Sequence, residues 1–76
     1  MRFVVKTRDV DGPGRSHIYK HEANARKRFA EMSGYDVDEY LAVLYDNYPE
    51  SNTFEKRGFC SAVSDFGCVV TIRREP

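Results

Sequence analysis

Two turn signals stand near the ends of the chain, Asp11-Gly-Pro-Gly14 and Ser64-Asp-Phe-Gly67, and each is flanked by short β-branched runs. Glycine permits positive φ and proline fixes a bend, so both segments predict β-hairpins. Arg2-Phe-Val-Val-Lys-Thr-Arg-Asp9 and Ser16-His-Ile-Tyr-Lys-His21 are the strands of the first, and Gly58-Phe-Cys-Ser-Ala-Val63 and Cys68-Val-Val-Thr-Ile-Arg73 those of the second. With Gly67 in the left-handed position of a three-residue loop, Ser64 faces Cys68, Ala62 faces Val70 and Cys60 faces Ile72. Gly12-Pro-Gly14 beside Arg15 and Ser16 also suggests a phosphate-cradling loop, but such a loop leads from a strand into a helix, whereas this one joins two strands.

Between the hairpins the apolar spacing changes to a helical one. From Glu22 to Ser33, Ala25, Phe29 and Met32 share a face, Arg26, Lys27, Ala30 and Glu31 turn away, and Gly34 is placed to cap the C-terminus. Asp36 and Glu39 have the spacing of a reciprocal N-cap. Beyond them Val37, Leu41, Leu44 and Tyr48 fall in a narrow sector, with Tyr40 and Tyr45 at its edges and Asp38, Glu39, Ala42 and Asp46 opposite. A second helix is the favoured reading of residues 37–47, and a central strand, apolar on both faces from Tyr40 to Tyr45, is the alternative. Residues 49–53 read as loop.

The expected fold is therefore α+β: one compact domain over residues 1–76, with a four-stranded, mainly antiparallel sheet of two hairpins and two helices on one face. A chain of 76 residues lies near the lower limit at which one hydrophobic core suffices, which leaves little material for a buried catalytic cleft. Its 41% hydrophobic content, with five Tyr and five Phe, sets it apart from disordered chains. The apolar runs, the longest from Leu41 to Tyr45, are too short for a signal-peptide core or a membrane span, so a cytoplasmic protein with no membrane partner is expected.

Formal net charge is zero, yet charge is segregated along the chain. Residues 1–30 carry eight Lys or Arg against three acids, residues 31–55 carry seven acids and no Lys or Arg, and residues 56–76 carry four bases against two acids. That balance disfavours a general polyanion binder while leaving a local basic strip or a local acidic one open. Arg2, Lys6 and Arg8 share strand parity and line one face of the first strand, where Arg73 joins them if the terminal strands pair. Arg26, Lys27 and Arg28 are the other basic group, but consecutive helical residues point in three directions and make no single patch.

The acidic segment holds four of the five tyrosines. Its stripe reads first as the core side of a helix, with Tyr40 and Tyr45 as core-edge residues whose hydroxyls reach water. The sharper reading is a partner-binding face of Asp36, Asp38, Glu39, Asp46 and Glu50, edged by Tyr40 and Tyr45. On it Asp38, Glu39 and Asp46 lie on the solvent side, where neutralising them costs the fold little, while Leu44 belongs to the core.

No catalytic or metal signature appears, so the expectation is a non-enzymatic protein without a cofactor or metal. Cys60 and Cys68 are offset by four positions along the hairpin ladder, too far for a disulfide, and read as free thiols. His17 and His21 have the spacing of a helical metal pair but fall on a strand and its junction with the first helix, and no third ligand accompanies them.

In size and general make-up the chain resembles the small accessory proteins of phages and mobile elements, anti-CRISPR inhibitors among them; overall character carries the resemblance, and no motif does. It implies a binding protein that docks on and inhibits a larger nucleic-acid-handling protein or ribonucleoprotein complex, presenting its acidic, tyrosine-edged face to a basic surface. The competing expectation is a small nucleic-acid-binding regulator using Arg2, Lys6, Arg8, Arg26, Lys27 and Arg28, with direct nucleic-acid contact the lesser of the two.

Overall fold

A computed structural model of the chain describes residues 1–9, 12–45 and 53–76. Strands β1 (Arg2–Arg8) and β2 (Arg15–Tyr19) are followed by helices α1 (Glu22–Ser33), α2 (Val37–Leu44) and α3 (Phe54–Arg57), then by strands β3 (Phe59–Val63) and β4 (Val69–Glu75). The four strands form one sheet in the order β2-β1-β4-β3, and every neighbouring pair is antiparallel. Each hairpin thus supplies one central and one edge strand, and the chain's two terminal strands meet in the middle. The α+β architecture read from the sequence is the one observed.

Strand alternation divides the sheet into a buried face and an open one. Phe3, Val5, Cys60, Ala62, Val70 and Ile72 point to the helix side, where they pack with Ala25 and Phe29 of α1, Val37 and Leu41 of α2 and Phe54 of α3. The expected register of the second hairpin holds: Cys60 faces Ile72 and Ala62 faces Val70, while Ser64 and Cys68 exchange bonds across a turn in which Gly67 has φ 80°. Helix α1 ends where the sequence places its end, with Gly34 left-handed at φ 84° and its N–H bonded to the Ala30 carbonyl.

Residues 37–44 are helix, which decides against the central strand. Asp36 caps it, one carboxylate oxygen accepting from the Asp38 and Glu39 N–H groups at 3.0 and 3.3 Å. Only this half of the expected reciprocal cap forms. The core stripe is also shorter than expected. Val37 and Leu41 are buried, but Leu44 is 52% exposed and does not belong to the core. Two turns of helix bring only the first part of the stripe against β3 and α3, and Leu44 falls on the last residue, at the rim. Tyr48, Asp46 and Glu50 lie outside the described residues.

Helix α3 is additional to the two helices that apolar periodicity predicts. Thr53 precedes it as N-cap residue and Gly58, at φ 69°, closes it; that pair brackets a helical turn and is the signal that reveals it in the sequence. Its first residue, Phe54, is fully buried and tilts against Phe3 with ring centroids 6.4 Å apart. Among the described residues no helix is long and apolar enough to cross a membrane.

Candidate functional site

All three helices lie on one side of the sheet, so the other side carries its own side chains outward. Cross-strand pairing arranges them in rows. One row runs Ile18, Val4, Arg73, Phe59 from β2 to β3, and the next runs Ser16, Lys6, Thr71, Ser61. Toward the β3–β4 turn Arg8 stands opposite Val69, which faces Val63, and at the far end Arg2 stands opposite Glu75. Terminal-strand pairing therefore does bring Arg73 onto the face that carries Arg2, Lys6 and Arg8.

Four cations share this face with one carboxylate. Glu75 bonds Arg2 at 2.8 Å, while Lys6, Arg8 and Arg73 form no ion pair among the described residues. Arg73 lies over the Phe59 ring at 5.7 Å. The surface between the cations dips twice beside Lys6. One small depression is lined by Val4, Lys6, Thr71, Arg73 and Glu75; another, of about 250 Å³, is lined by Lys6, Thr7, Arg8, Val69 and Thr71. Ile18, Phe59 and Val63 add exposed apolar surface, and at the tip of the β3–β4 turn Phe66 is 97% exposed. Strand alternation and the β3–β4 register put Phe59, Val63 and Val69 on one face, and the pairing of β1 with β4 sets that face beside the cations.

The acidic segment is organised differently. Asp36 is occupied as the cap of α2. Asp38 is only partly exposed and is not free for a partner: one of its carboxylate oxygens accepts from Arg26 Nη1 at 2.9 Å, and the other accepts from the Phe54 N–H at 2.8 Å. Partial burial works against ionisation of Asp38, but the Phe54 N–H and the Arg26 guanidinium outweigh it and hold the carboxyl below its ordinary value. Glu39 is exposed. Tyr40 is half-buried against the core and packs on Tyr35, ring centroids 5.1 Å apart. Tyr45 carries the Arg57 guanidinium over its ring at 4.2 Å and accepts a bond from Arg57 Nη2. Among the described members of the expected acidic face, two carboxylates, Asp36 and Asp38, and two rings, Tyr40 and Tyr45, thus hold parts of the fold together.

The basic triplet of α1 divides. Arg26, expected to point outward, turns inward, pairing with Glu22 and Asp38 and lying over the Phe54 ring at 5.5 Å. An arginine stem can bury along apolar surface while its head finds carboxylates, which the apolar-periodicity reading does not register. Lys27 and Arg28 line a groove against β2, away from the open face.

His17 lies within β2 and His21 is the N-cap residue of α1, so the structure does not join them in one cluster. Cys60 and Cys68 are free thiols. Burial pushes the Cys60 thiol up to about 11, and Cys68 is raised as well, by desolvation and then by Asp9. Neither thiol is set up as a nucleophile at neutral pH.

No family model, no curated protein and no solved structure matches the chain.

Proposed function

We propose that the protein is a non-enzymatic binding module that takes a single nucleic-acid strand across the open face of its sheet. The observation that carries this reading is the row geometry: Arg73, Lys6 and Arg8, without ion-pair partners among the described residues, stand in three successive rows across β4 and β1, among hydroxyls and exposed apolar side chains. Charge that cancels along the sequence does not cancel in space. The carboxylates of α1 and α2 lie on the helix side, and the sheet stands between them and the cations. Phosphates can meet the cations, and the Phe59 and Phe66 rings can stack bases, a combination that tolerates any sequence because every base has a π-face. The test is amide chemical-shift mapping with a short single-stranded oligonucleotide. Shifts confined to Lys6, Phe59, Phe66, Thr71, Arg73 and their neighbours support the reading, and shifts confined to the helix layer refute it.

A second reading is favoured by one observation on the opposite side. Helix α2 exposes Val43, at 78%, together with Leu44 and the C-cap residue Tyr45, beside the carboxylate of Glu39. That surface supports docking on a larger nucleic-acid-handling protein through a basic partner surface, in the manner of an anti-CRISPR inhibitor. Capture of a protein partner that survives nuclease treatment and is lost in Val43→Ser/Glu39→Gln supports this reading; capture abolished by nuclease returns the function to the sheet face.

A further inference from the structure

A groove of about 270 Å³ separates the edge strand β2 from α1 and is lined by Tyr19, Asn24, Lys27, Arg28 and Glu31. Residues 24, 27, 28 and 31 have the i, i+3, i+4, i+7 spacing of one helix face, which is why α1 presents them together while Arg26 turns to the core side. Four of the five lining residues carry hydrogen-bond donors: the Tyr19 hydroxyl, the Asn24 amide, the Lys27 ammonium and the Arg28 guanidinium. Lys27 forms no ion pair among the described residues.

Arg28 is the unusual member. Its Nε is buried and has no hydrogen-bond partner among the described residues, and its Nη1 meets Glu31 only at 3.9 Å, beyond hydrogen-bond reach. A buried, unpartnered donor on a charged group is costly, so the fold holds this guanidinium in place without satisfying it. Among the described residues no hydrogen bond fixes the outer nitrogens, which meet only the loose approach of Glu31, and they are available to a ligand that brings acceptor oxygens.

We propose that this groove binds a phosphate group, free or carried by a nucleic-acid strand. A guanidinium, an ammonium, an amide and a phenol converging on one groove suit an anion with several acceptor oxygens, and two cations against one carboxylate leave the groove net positive. Glu31 is the built-in competitor: the incoming anion takes over the guanidinium face that Glu31 approaches loosely. The site uses none of the sheet-face residues, so either can fail alone.

The experiment is an NMR titration of the full chain with inorganic phosphate, at ionic strength held constant with chloride, following the Asn24 side-chain amide, the Arg28 Nε–H and the α1 backbone. Saturable shifts at these groups are expected. Lys27→Ala, an exposed change that leaves the core alone, weakens binding by roughly tenfold, the factor that one charge-assisted hydrogen bond supplies. Glu31→Gln strengthens it, which a merely structural role for this helix face does not predict. A parallel titration with a short oligonucleotide separates the sources: shifts at Arg28 with both ligands mean that the groove accepts a phosphodiester, and shifts with inorganic phosphate alone mean that it takes the free ion. Phosphate binding that persists in Lys6→Gln/Arg73→Gln keeps this site distinct from the sheet face. No shift at Arg28 or Asn24 with either ligand, or weaker phosphate binding in Glu31→Gln, overturns the proposal.

Discussion

Asp38 and Arg26 are joined at 2.9 Å across the gap between α2 and α1, and the second oxygen of the same carboxylate accepts the first N–H of α3. A single side chain thus ties three helices together.

Replacing Asp38 by Ala removes the partner of Arg26 and the cap of Phe54 at once. Both contacts are partly exposed, so a loss of about 1–2 kcal/mol is expected, read from chemical denaturation. The pH dependence has a definite sign. A carboxyl held below its ordinary value contributes stability that is present above the unfolded-state value of about 4 and is lost as pH falls through the folded-state value. The parent should therefore lose stability on acidification below about pH 4 more steeply than Asp38→Asn. Equal acid sensitivity in the two proteins removes Asp38 from this role.

Leu41 and Leu44 differ by one turn of helix and by about half of their surface, 3% against 52% exposed. Leu41→Ala should cost about 2–5 kcal/mol, as deletions from a packed core do, and Leu44→Ala within about 0.5 kcal/mol. Thermal melts of the two variants side by side provide the check. Comparable losses would mean that α2 buries more of its length than the structure shows.

The contrast between these leucines shows where the sequence stops being informative. Turn chemistry and strand parity are local, and they disclosed both hairpins, the Cys60 to Ile72 register and the common face of Arg2, Lys6 and Arg8. Periodicity located both long helices, but it could not say how far along α2 the core extends, because that depends on what packs against it. Nor could it show that Arg26 turns inward or that Asp38 caps a third helix 16 residues further on, since both contacts exist only once the helices are assembled. The open face was half legible. Its cations share parity in the sequence, but their freedom from the acidic segment is a property of the layers.

Phe66 makes no structural demand that its exposure reveals, so Phe66→Ala should leave the melting temperature nearly unchanged. If its ring stacks a base, the same variant loses about 1–3 kcal/mol of single-strand affinity, a fivefold or greater weakening. Unchanged affinity measured by anisotropy would confine stacking to Phe59 or remove it altogether.

The central claim is that Lys6 and Arg73, set diagonally in adjacent rows by the pairing of β1 with β4, neutralise phosphates on the open face. Fluorescence anisotropy of a labelled single-stranded oligonucleotide across a salt series tests it most directly. The account predicts binding that weakens with salt, and a slope of log affinity against log salt that becomes shallower by about 0.7 for each cation lost in Lys6→Gln/Arg73→Gln. Glu39→Gln, on the helix side, should leave both affinity and slope as they are. Absence of binding by the parent at low salt, or an unchanged slope in the double variant, would contradict it.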